Sequence, residues 1–170
     1  NADTAAGLVI DASDRITVTG TTYGDVDGAN HSGGADLLIS RFDTSGNRAW
    51  TRLAGTNFNE MPTAIAVDAA GTLTVTGSCD GDWAGLVGFI DVFVARFTVD
   101  GQTSWVRQWG TSHHDYGRAV QISSTGTILI AGATFGDLTG YTSAGHLDLF
   151  LAAFSNTGTP LWHRQWGTVG

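Results

Sequence analysis

The chain has 170 residues, 24 of them glycine and only 2 proline, and a formal net charge of -8. That length holds one ordinary domain with a sizeable core, and the glycine excess suits many short strands joined by tight turns rather than helices. The negative balance excludes nucleic acid and argues against an acidic membrane surface, because phosphate recognition needs clustered Lys and Arg; no apolar run is long enough for membrane insertion.

From the N-terminus, Leu8 and Ile10 point to one side of a first strand and Val9 to the other, and "DRITVTG" reads as the next strand. A glycine-rich connection with "GDVDG" and Asp25 follows; Asp36 opens a third strand that passes Phe42, and a fourth carries Trp50. The second unit has the clearest pattern. Its strands are "TAIAVD", "TLTVTG", "DVFVARFT" and "TSWVRQWG", its hairpin turns "DAAG" and "VDG", and its longer connection "GDWAG" with Asp82. The third unit brings Val120 and Ile122, then "GTILIAG", "GDLTG" with Asp137, Asp148, Phe154 and Trp162.

Gly20, Gly77 and Gly132 align at offsets of 57 and 55 residues, and Trp50, Trp105 and Trp162 at 55 and 57, so one supersecondary unit recurs three times. A trefoil also repeats threefold, but this unit is long for one and all four strands recur in each copy. The expected fold is all-β: three four-stranded antiparallel β-propeller blades at 1–56, 57–111 and 112–170, in one continuous repeat array.

The recurring "GD..G", the run "D.F.A.F...G...W.RQWGT" and the following "A..V....G...V.G.T" together resemble the bacterial β-propeller repeat called the SBBP repeat, across essentially the whole chain. The resemblance implies a secreted or cell-surface bacterial protein used for scaffolding and interaction rather than for one reaction. Two departures stand out: Ala54 replaces the tryptophan present at Trp109 and Trp166, and Ser123 stands where Asp11 and Asp68 do.

Strand one alternates apolar or small residues on both sides, as a sheet sandwiched between two others requires. Three blades in a row then leave two apolar end faces. At roughly 25 cal/mol per Å², about 500 Å² of wet apolar surface would forfeit more than ~10 kcal/mol, comparable to the stability of a domain. Propellers have about four to eight blades and six is the multiple of three in that range, so a head-to-tail homodimer closing a six-bladed ring is expected. Joining "QWGT", Val169 and Gly170 to Asn1, Ala2 and Asp3 reproduces the spacing of "GTNFNE" and "GTSHHD" with one residue extra. The start at Asn1, without Met, is read as the mark of a removed leader, tag or larger parent. A fragment of a longer propeller is the alternative to the dimer.

Of the acidic residues, eleven fall on the long-loop end of the blades and five on the hairpin end, which marks the former as the candidate functional face. Asp25, Asp82 and Asp137 are expected to organise Asx-type turns; cation or carbohydrate binding at these repeated positions is the functional rival. Asp36, Asp91 and Asp148 are expected to bond backbone donors between blades. Trp83, in place of Val26 and Leu138, is the candidate exposed platform for a sugar. "DVDGAN" offers calcium-type oxygens, but Gly28 is misplaced for an EF-hand loop. "SHHD" reads as a decorated loop, and Cys79 as a buried free thiol. No serine elbow, P-loop or dinucleotide fingerprint occurs, so no catalytic residue, metal or cofactor is expected.

The function expected is a non-enzymatic scaffold or interaction module that self-associates to close the ring, with a carbohydrate or protein as ligand. A lectin-like or cation-assisted ligand binder using the acidic long-loop face is the alternative, and an enzyme in the central tunnel ranks third.

Overall fold

The computed structural model describes residues 2–169; Asn1 and Gly170, which belong to the expected joint between copies, lie outside the described residues. β1 (Thr4–Ile10), β2 (Ile16–Thr22), β3 (Asp36–Phe42) and β4 (Arg48–Ala54) form the first sheet. β5 (Glu60–Val67), β6 (Leu73–Cys79), β7 (Asp91–Phe97) and β8 (Thr103–Trp109) form the second. β9 (Asp115–Ile122), β10 (Ile128–Thr134), β11 (Asp148–Phe154) and β12 (Pro160–Trp166) form the third. Each sheet is an antiparallel meander in chain order, and no helix occurs among the described residues.

Four of the six tight hairpins share one mechanism. An oxygen-bearing side chain at the first turn position accepts backbone N–H groups two and four residues on: Asp11 from Ser13 and Arg15, Asp43 from Ser45 and Asn47, Asp68 from Ala70 and Thr72. Ser155 repeats the pattern with Thr157 and Thr159, so Asp-to-Ser exchange preserves the turn.

The aligned glycines have a different cause. The first strand of every sheet is bulged, between Ala5 and Gly7, Pro62 and Ala64, and at the Gly117 to Ala119 step. The bulge drives a carbonyl of that strand over the neighbouring one. A Cβ at Gly20, Gly77 or Gly132 would strike the carbonyl oxygen of Thr4, Met61 or Tyr116 respectively. Only glycine admits that approach. β5 accordingly begins at Glu60 rather than Thr63, because the bulge interrupts the period-two pattern that marks a strand in sequence.

The sheets stack face to face in chain order. Leu37 and Ile39 of the first pack with Ile65, Leu73, Val75, Phe93, Ala95 and Phe97 of the second, and Val92 and Val94 on its opposite face pack with Val120, Ile128, Ile130, Phe150 and Phe154 of the third. Burying each such side chain contributes about 1.5–3 kcal/mol, so these two layers hold the chain together. Each sheet therefore has a forward face, turned to its successor, and a rear face, turned to its predecessor.

Candidate functional site

Asp25, Asp82 and Asp137 occupy the long connections between the second and third strands. Their carboxylates accept backbone N–H groups of their own loops: from His31 (2.9 Å), from Gly85 (2.8 Å) and Leu86 (3.3 Å), and from Ser143 (2.7 Å). Each is exposed and serves its own sheet. Asp27, the second carboxylate of "GDVDG", is engaged by Arg48 (2.7 Å) and Thr51 (3.1 Å). Among the described residues, no three His, Cys, Asp or Glu side chains are grouped so as to hold a metal ion.

Trp83 is half-buried rather than an open platform. Its ring meets Phe93 edge-on at 5.3 Å, and its backbone N–H is accepted by Gln108 Oε1 (2.6 Å). Leu138, at the same position of the third sheet, is buried in the same way, with its N–H on Gln165 (2.8 Å). The position joins the core layer between its own sheet and the preceding one, which explains why an apolar residue recurs there.

Asp36, Asp91 and Asp148 also depart from expectation. They accept from loops of their own sheets, namely Ser32, Val87 with Gly88, and Ala144, rather than across the interfaces. What does cross is charge. Asp36 stands close to Glu60 around Gly55, and Asp91 lies near Asp115, so each interface holds two buried carboxylates. Burial pushes Glu60, Asp91 and Asp115 above the usual carboxylate range, and the neighbouring acid adds to this for Glu60 and Asp91. Hydrogen bonds from Thr56 oppose it at Glu60, and those from Thr134 and Thr111 oppose it at Asp115. Burial likewise pushes the free Cys79 thiol up to about 12, which makes it inert.

One cluster escaped the sequence. Phe89, His114, Tyr116, Phe135 and His146 gather at the long-loop end: His114 stacks on Tyr116 (6.3 Å, 10°) and meets Phe89 (5.8 Å) and Phe135 (6.3 Å), while His146 approaches Phe135 (6.0 Å). Arg118 lies over Tyr116 at 5.2 Å, and Phe89 is 72% exposed. These residues come from two sheets; Phe89 and His146 both stand two residues before the aligned Asp91 and Asp148, but Gly34 holds that position in the first sheet and His114 and Tyr116 have no aromatic counterparts, so periodicity gave no sign of the group. The group is an aromatic and imidazole surface that can pack on the C–H face of a sugar ring or stack on a planar ligand.

The two outermost faces are the other unusual surface. On the rear face of the first sheet Leu8 is 63% exposed, whereas its counterparts Ile65 and Val120 are 8% and 3% exposed under a neighbouring sheet. On the forward face of the third sheet Leu149 is 54% exposed, where its counterparts Leu37 and Val92 are fully buried. Ile10, Trp162 and Trp166 extend these two apolar surfaces.

No protein-family model matches the chain. The chain is similar to the regulatory protein FlaEY of Caulobacter vibrioides, at 27% identity over 185 aligned residues that cover 99% of this chain and 19% of the relative. Among solved structures it resembles a protein of unknown function from Bacteroides caccae, with a TM-score of 0.54 at 9% sequence identity, covering all of this chain and 48% of that one. The chain thus spans about a fifth of the first and about half of the second. At such identity the second likeness concerns the fold alone.

Proposed function

We propose that the chain is a non-enzymatic β-propeller scaffold of SBBP type, three blades long, which self-associates so that two copies close a six-bladed ring. The observation that carries this reading is the pair of outward faces: each repeats a face buried elsewhere in the same chain, yet each is left in water. Contiguous apolar patches of that kind mark interaction surfaces. A role outside the bacterial cell or on its surface goes with the repeat resemblance.

Light scattering coupled to size exclusion tests the association directly. Two chains of 17.7 kDa per particle are expected at micromolar concentration, and a particle of one chain would sink the reading.

A second reading is favoured by the aromatic and imidazole cluster around Phe89: a lectin-like binder using the long-loop end, where Asp25, Asp82 and Asp137 shape the loops and Trp83 packs beneath. Binding on a glycan array that is lost in Phe89→Ala would establish it; no binding by the wild type would leave scaffolding alone.

A further inference from the structure

Inside the chain, successive sheets are locked by a tryptophan seated on a glycine. Trp50 of β4 covers Gly101 in the β7–β8 turn so closely that a Cβ there would come within 2.7 Å of the ring. Trp105 of β8 covers Gly158 in the β11–β12 turn, where the same distance is 3.0 Å, and its Nε1 donates to Asn156 O (3.2 Å). Both glycines are buried by this contact. Each end of the chain holds one half of a third such contact. Trp162 of β12, in the same register opposite Ala153 as Trp50 is opposite Arg41, is 42% exposed. Gly46, in the β3–β4 turn, shares the positive φ of Gly101 and Gly158 but has open space around it.

Two further features follow the same register. The amide of the residue that opens a sheet donates to the carbonyl preceding the third strand of the sheet before it: Glu60 to Ala35 (2.6 Å) and Asp115 to Ile90 (2.7 Å). The remaining members of this series are the Asp3 amide at one end and the Leu147 carbonyl at the other. In addition, the forward faces of the first two sheets carry a buried polar network: Arg41 with Thr17, Asp11 and Val99 O, and Arg96 with Thr74 and Asp68. On the third sheet those positions are Ala153, Leu129 and Ser123, so its forward face is more apolar than the two that are already covered.

We propose that the forward face of the third sheet docks onto the rear face of the first sheet of a second copy, with Trp162 seated on Gly46 of the partner subunit. The occupant is a copy of this chain because the contact required is the one the chain already makes twice with itself. The contact is head to tail: forward face on forward face would set tryptophan against tryptophan, with no glycine to receive either. This inference rests on the self-association put forward above and adds its polarity and register.

Two sets of variants test it, all read as the dimer dissociation constant by sedimentation, with far-UV circular dichroism and the urea midpoint of the monomer as the check on folding. Trp162→Ala should raise the dissociation constant at least about tenfold, the size expected of a buried aromatic anchor. Gly46→Asn, which tolerates positive φ but places a side chain under the ring, should raise it too; in the Trp162→Ala background the same change should have an effect of less than about threefold, because the two residues act as one contact. Independent effects that multiply, or a Trp162→Ala dimer of unchanged affinity, would overturn the register while leaving self-association standing.

Polarity is tested by Leu8→Arg and Leu149→Arg, each on a face exposed in the monomer. Each variant alone should be monomeric at micromolar concentration, and mixing the two should restore a heterodimer held by the single interface left intact. Dimers of one variant alone would mean like faces pair and would overturn the head-to-tail arrangement. A wild-type chain that does not associate would overturn both this inference and the reading beneath it.

Discussion

Asp14 is the one non-glycine residue at a turn position that glycine holds in the other hairpins. It has φ 57, while Gly46, Gly71, Gly101, Gly126 and Gly158 have φ between 77 and 83. A left-handed conformation burdens an L-residue by up to about 1–2 kcal/mol, less for Asp. Asp14→Gly should therefore stabilise the chain by about 0.5 kcal/mol net of the entropy glycine adds to the unfolded state, read as an upward shift of the urea midpoint. A neutral or downward shift would show that the Asp14 side chain makes up the difference. Trp83 illustrates the opposite case, a residue whose type suggested one role and whose surroundings assign another. Edge-on to Phe93 and half-buried, it should lose about 2 kcal/mol of stability as Trp83→Ala, somewhat less than a fully buried aromatic. A stability unchanged within 0.5 kcal/mol would return it to the surface.

At the level of strands and interfaces, the sequence was legible wherever alternation survived. β7 and β8 match their sequence readings to within a residue, and β6 to within two, because each keeps a clean alternation up to its hairpin turn. The first strands extend beyond their alternating stretches because Ala6, Thr63 and Arg118 sit in bulges that break the alternation, although Gly20, Gly77 and Gly132 are the visible trace of those bulges. Phe89 and His114 could not be joined by any periodicity, since they approach only through the stacking of two sheets. The paired acids were visible singly, but their burial together was not. Burial raises the pKa of Asp115, so the folded chain holds that proton more tightly than the unfolded one does. The sign follows from linkage: its contribution is fully present below the unfolded carboxylate pKa and is lost as pH rises through the folded value. Glu60 and Asp91 act in the same direction, and Asp148, lowered by the Ala144 N–H and Gln165, acts oppositely, losing its contribution as pH falls. Asp115→Asn keeps an oxygen for the Thr111 amide (2.6 Å) and removes the titration. Relative to wild type, its urea midpoint should be higher at pH 8 than at pH 4; an equal difference at both pH values would contradict a burial-raised carboxyl at that interface.

For the molecule as a whole, folding and association are expected to be one linked process. The covered layers between sheets are built from the same positions as the open faces, so in the proposed dimer a second copy would supply to Leu8 and Leu149 what the neighbouring sheets supply to Ile65 and Val92 within the chain. Any partner that binds only the folded chain stabilises it by RT ln(1 + [L]/Kd), about 2.7 kcal/mol when the partner is present at 100 times Kd. With a second copy of the chain as the proposed partner, apparent stability is expected to rise with protein concentration. Between 1 and 100 µM the thermal midpoint should climb by several degrees, since about 1 kcal/mol moves the midpoint of a domain of this size by about 2–4 °C. The same titration with Leu8→Arg should be flat, with a midpoint near that of the dilute wild type. Leu8 is solvent-exposed within one chain, so its replacement removes only the contribution of the partner. A wild-type midpoint independent of concentration would mean that three stacked sheets suffice alone, with their outer apolar faces tolerated in water.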